Sequence, residues 1–135
     1  MKFRHALSAL ALSSLTLAVA CDNSTDSGTI PETAFAIAYV VEGTGANVTV
    51  TQVDYTDTAG NTQSVMNPVL PWTVTASRVS GETARLEVMG STGGTSMLTA
   101  RIQDDPNLVM SPTTYTMSTC MENVNPCDFD LQNTF

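Results

Sequence analysis

Phe35-Ala36-Ile37-Ala38-Tyr39-Val40-Val41 decides the fold. Its large apolar side chains recur at every second residue, so Phe35, Ile37, Tyr39 and Val41 share one face while Ala36, Ala38 and Val40 take the other. Period two is the signature of a β-strand, and β-branched and aromatic residues fit a pleated surface. Downstream, Gly43-Thr44-Gly45 reads as a turn, and Val48 and Val50 continue the alternation. Val53 and Tyr55 resume it one residue out of phase, which predicts a β-bulge near Thr51-Gln52. Asp57-Thr58-Ala59-Gly60-Asn61 carries turn chemistry and leads to a short strand around Gln63 to Met66.

Two prolines in Asn67-Pro68-Val69-Leu70-Pro71-Trp72 cannot donate to a ladder, so they mark a sheet edge or the entry to the next strand. Trp72, Val74 and Ala76 then share a face, with Trp72 expected as a structural core anchor. Beyond a turn at Ser80-Gly81-Glu82, Ala84, Leu86 and Val88 point inward and Arg85 and Glu87 outward. Gly90 to Gly94 reads as another turn. Leu98, Ala100 and Ile102 follow in phase, Asp104-Asp105-Pro106-Asn107 breaks the strand, and Thr113 to Cys120 alternates once more. Short strands at roughly ten-residue spacing imply an antiparallel sandwich or small barrel. The expectation is an all-β, immunoglobulin-like β-sandwich of about seven strands over residues 34–135, without the Cys…Trp…Cys spacing of antibody domains.

Upstream of that domain the composition changes. Met1-Lys2-Phe3-Arg4-His5 is basic, and Ala6 to Ala20 is fifteen residues without a charge. As a helix that run covers about 22 Å of a hydrocarbon layer roughly 30 Å thick, which suits a signal peptide better than a membrane span. It ends on Leu17-Ala18-Val19-Ala20-Cys21, which resembles a bacterial lipobox, whose cysteine is diacylated and becomes the first mature residue. Residues 1–20 are therefore read as a removed lipoprotein signal peptide. Residues 21–33 are read as the lipidated Cys21 and a polar, flexible tether spanning on the order of 20 Å. The competing reading is an ordinary secretory signal with Cys21 a bystander. Against it, Cys120 and Cys127 already make a pair, leaving an unmodified third thiol over. The expected address is the bacterial cell envelope, anchored in a membrane by lipid and facing the periplasm or the cell surface.

The full chain of 135 residues carries a formal charge of -8. Residues 21–135 hold three basic side chains, Arg78, Arg85 and Arg101, against 13 acids, a net charge of -10, with neither Lys nor His. Nucleic acid is excluded as a partner, because phosphate neutralisation needs clustered cations. Ser-His-Asp and Cys-His catalysis and His-containing zinc sites need residues that this segment lacks. No enzyme activity, no catalytic residue, no cofactor and no metal ligand is assigned.

Asp104-Asp105 and Asp128 with Asp130 read as turn and tail residues rather than an acid–base pair. Asp54 and Asp57 with Asn61 crowd oxygen atoms near one hairpin, so calcium is the ion that comes nearest to fitting, although the spacing is not that of an EF-hand. Cys120 and Cys127, with six residues between them, are expected to form a structural disulfide bounding the C-terminal tail rather than a redox motif.

Ala38 to Gly45, Val48-Thr49-Val50-Thr51, Asp57-x-x-Gly60-Asn61 and Leu70-Pro71-Trp72-Thr73, taken in that order, resemble the periplasmic domain of mycobacterial small membrane (MmpS-type) transport accessory proteins. The likeness covers residues 35 to 102, about 60% of the mature chain. It implies an immunoglobulin-like sandwich working beside a large envelope exporter. Here a lipobox replaces that family's transmembrane helix, and a cysteine-bounded tail is added. The function expected is a non-enzymatic interaction module that binds another envelope protein; the alternative is a small ligand- or calcium-binding lipoprotein.

Overall fold

Residues 33–135 are described by the structure, a computed structural model. The leader, Cys21 and most of the tether lie outside the described residues. Eight strands follow one another: β1 (Ala34–Thr44), β2 (Val48–Thr56), β3 (Thr62–Met66), β4 (Trp72–Val79), β5 (Thr83–Thr92), β6 (Met97–Asp104), β7 (Thr114–Met121) and β8 (Val124–Thr134). They form two antiparallel four-stranded sheets, ordered β4-β1-β6-β7 and β3-β2-β5-β8. The protein is an all-β sandwich.

The period-two face of β1 is the centre of the core. Ile37, Tyr39 and Val41 pack with Val50 and Val53 of β2, Leu86 and Val88 of β5, Leu98, Ala100 and Ile102 of β6, and Phe129 and Leu131 of β8. Ala38 and Val40 point away from that core yet are also buried. On the outer face each sits between longer neighbours, Ala38 between Thr75 and Gln103 and Val40 between Thr73 and Arg101. Short side chains lying among these neighbours are covered by them, so the middle of β1 is buried on both faces.

The β2–β5 register slips between Val50 and Gln52, at the bulge that the phase change predicts. Eight strands stand where about seven were expected. The addition is β8, which takes the eleven residues of the tail into an edge position beside β5. The turns expected over Gly43 to Gly45 and Gly90 to Gly94 begin only after Thr44 and Thr92, since β1 runs through Gly43 and β5 runs through Gly90. A Cβ on Gly43 would stand 2.8 Å from the Leu70 side chain, and one on Gly90 only 2.6 Å from the Thr49 carbonyl oxygen. These glycines let neighbours approach and do not turn the chain.

Because every strand reverses direction, loops alternate between two ends. One end gathers the start of β1, the loops after β2, β4 and β6, and the C-terminus. Asp105 N–H donates to the Ala36 carbonyl there, and Gly81 N–H donates to that of Phe135. The opposite end gathers the loops after β1, β3, β5 and β7, joined by Gly93 N–H to the Asn47 carbonyl and Glu122 N–H to that of Ser96.

Candidate functional site

The loop end remote from Ala34 holds an open groove of about 550 Å³ lined by Thr44, Thr95, Ser96, Met97, Met121 and Glu122. Its floor comes from the last residues of β1, the first of β6 and the last of β7. The loops around it are tied to one another. Asn47 N–H donates to Ser96 Oγ at 3.1 Å, and Gly94 N–H to Asn123 Oδ1 at 2.7 Å. Thr92 Oγ1 donates to the Glu122 carbonyl. Glu122 itself has φ of +67°, a left-handed conformation uncommon for a side-chain-bearing residue. That twist turns the chain from β7 into β8.

Met97 and Met121 are direct cross-strand partners. The adjacent Ser96–Glu122 pair is hydrogen-bonded, and ladders alternate, so Met97–Met121 is a non-hydrogen-bonded pair with Cα atoms about 4.5 Å apart. Side chains approach most closely at such positions. Thr44 flanks Met97 on the other side, completing a row of hydroxyl, thioether and thioether. Further along this outer face, Arg101 grips Glu42 through two bonds of 2.7 and 2.9 Å. That guanidinium holds the Glu42 carboxyl below the ordinary carboxylate range.

Cys120 and Cys127 are disulfide-bonded, with Cα atoms 6.1 Å apart. The bridge joins β7 to β8, hence one sheet to the other, directly behind the groove. Trp72 lies at the rim of the core, half-buried, with its ring 5.5 Å from that of Tyr55, which in turn lies 5.6 Å from Tyr39. It is a packing residue at the margin rather than the centre.

The carboxylates singled out in the sequence have local partners. Asp57 accepts the N–H groups of Ala59 and Asn61, both at 2.9 Å, and the Gln63 amide at 2.7 Å, which pushes its carboxyl pKa down. Asp54, opposite Ser64 on the β2–β3 ladder, accepts the Gln52 amide. Asp105 accepts Asn107 N–H, while Asp104 accepts Thr113 N–H and the Tyr115 hydroxyl. Asp130 is paired with Arg85 at 3.0 Å. Among the described residues, no three His, Cys, Asp or Glu side chains converge as a metal-binding group.

No family model matches the chain, and no curated protein matches it in sequence.

Three arrangements are invisible to a linear reading. Asp54, Glu87 and Asp130 stand side by side on β2, β5 and β8, an acidic row relieved by Arg85, which bonds both Glu87 and Asp130. Arg78 continues the inward phase of Trp72, Val74 and Ala76 and is 1% exposed. Its Nη2 donates to the Thr56 carbonyl at 2.6 Å and to the Asp57 carbonyl, while its Nε has no partner. The Tyr39 hydroxyl shares the Thr56 carbonyl at 2.8 Å, and burial raises the Tyr39 pKa. The methionine pair is the third. Its members are 24 positions apart in sequence and meet only because β6 pairs with β7.

Proposed function

We propose that this chain is a lipid-anchored bacterial envelope lipoprotein whose β-sandwich serves as a non-enzymatic interaction module for another envelope protein, in the manner of an exporter accessory. The observation that carries the reading is the junction of an uncharged fifteen-residue run with Cys21, followed by a short polar tether and a β-domain that begins at Ala34. In this arrangement the tether attaches at the loop end beside Ala34, and the groove, at the end remote from the attachment, is open to partners. Exposed Val69 and Met66, at the groove end of the molecule, add apolar contact area. Charge supports a domain held off the surface, since residues 34–135, with ten acids against three arginines, are repelled by anionic headgroups. The absence of Lys and His after His5 supports a non-enzymatic role.

Two acyl chains are enough for stable attachment. Palmitate labelling of cells expressing the chain tests the anchor. Wild type labels and fractionates with membranes, whereas Cys21→Ser neither labels nor sediments; label retained by Cys21→Ser refutes the anchor. Crosslinking from a photoreactive residue placed at Val69 tests the module, and membranes that yield no crosslinked envelope protein refute it. The second reading, a small-ligand-binding lipoprotein, is favoured by the groove alone.

A further inference from the structure

We propose that Met97 and Met121 form a thioether site for a soft monovalent d¹⁰ cation, copper(I) or silver(I), at the mouth of the groove. The site goes beyond the interaction role and does not depend on the lipid anchor. Thioether sulfur is a soft ligand that selects such ions over calcium, magnesium or zinc. Among the described methionines, this is the one pair that stands directly opposite in register on neighbouring strands. Met66 and Met89 both neighbour Gln52 in register and are separated by the whole width of β2. Met117 stands opposite Arg101, whose positive charge disfavours a cation, and Met110 lies in the loop after β6.

The pair also occupies the position where a strand ladder brings side chains closest, at its non-hydrogen-bonded rung. Each unbranched side chain has three rotatable bonds, so two sulfurs rooted this near can reach one ion without moving the backbone. Access is open: Met121 is 64% exposed and Met97 partly exposed, and both line the groove. Glu122, beside them, has its backbone fixed by Ser96 and Thr92. Glu122 also lines the groove and brings one negative charge to the neighbourhood of the site. Behind the site, the Cys120–Cys127 bridge keeps both of those sulfurs out of competition as thiolates. Binding is coordination alone: no bond in the protein breaks and no electron is transferred.

Silver(I) nitrate in chloride-free buffer is the probe, titrated into the full chain with the disulfide intact and Cys21→Ser, so that no thiol competes. Calorimetry gives the stoichiometry and affinity, and the methionine ε-methyl NMR signals report which sulfurs bind. The expected result is one ion per chain, with the Met97 and Met121 methyl signals shifting together and the other four described methionines unmoved. Met97→Leu and Met121→Leu each weaken binding at least tenfold with an unchanged melting temperature, and Met117→Leu leaves it as in wild type. Silver that shifts every exposed methionine at the same concentration overturns the site. So does affinity unaltered in both Leu variants, or no binding at micromolar ion.

Discussion

Replacing Arg78 separates two jobs that this buried side chain does. It is 1% exposed, donates to the Thr56 and Asp57 carbonyls, and lies 3.7 Å from Glu82, whose side chain is 44% exposed. Both carbonyls keep another donor if the guanidinium goes, Thr56 from Tyr39 OH and Asp57 from Gly60 N–H. Glu82, being half in water, is not left as a stranded buried charge. Two bonds from a charged donor contribute about 1.5–3 kcal/mol each. Keeping a guanidinium out of water costs several kcal/mol, and here Nε gains no partner in return. The two nearly cancel, so Arg78→Met, which preserves the stem's volume, is expected within about 1 kcal/mol of wild type. Arg78→Ala instead removes two stem methylenes at about 0.8 kcal/mol each and leaves a cavity, for a loss of about 2–4 kcal/mol.

Urea denaturation of both variants, followed by circular dichroism, measures that gap directly. On heating, it appears as roughly 10–20 °C between the two melting temperatures, taking about 4–8 °C per kcal/mol for a domain of this size. Alkaline titration adds an independent readout. The Tyr39 pKa, raised by burial and partly restrained by Arg78, moves higher in Arg78→Met. Equal destabilisation in the Met and Ala variants would refute the reasoning, because the polar bonds rather than the stem would then hold this corner.

Three further outcomes are expected. Opening the Cys120–Cys127 bridge by replacing both cysteines with Ala releases an eight-residue loop, a chain-entropy loss of about 2.5 kcal/mol; thermal melts that coincide with wild type contradict this. The Tyr115 hydroxyl donates to Asp104 and its pKa is pushed up to about 12, first by burial and then by that carboxylate, while the Asp104 pKa is lowered by Tyr115 and Thr113. The tyrosine's contribution to stability is therefore full below pH 10 and lost between pH 10 and 12. The aspartate's is full above its ordinary pKa and lost as pH falls through its lowered one. Tyr115→Phe flattens the alkaline loss and moves the Asp104 pKa up in an NMR titration, and an unmoved Asp104 counts against the pairing. Gly90→Ala drives a Cβ to within 2.6 Å of the Thr49 carbonyl oxygen and 2.9 Å of Leu98, so a loss of about 1–3 kcal/mol is expected in urea denaturation; wild-type stability would mean that β2 and β5 have room to part.

The alternation from Phe35 to Val41 determined by itself that the domain is β-structure, which face of the first strand is core, and, through the phase change at Thr51-Gln52, where a bulge falls. These properties are local: period two, proline's missing N–H and turn chemistry act within a few residues. The disulfide was legible too, because two cysteines with six residues between them leave few alternatives. Tertiary structure alone decided that the tail becomes an eighth strand, that Gly43 and Gly90 serve contact rather than turning, and that Arg78 is buried. It also decided that Met97 and Met121 meet, and that Asp54, Glu87 and Asp130 form one row. Each depends on which strands become neighbours and in which register. Register between segments tens of residues apart is fixed by burial of the whole core, not by the residues that it happens to bring together.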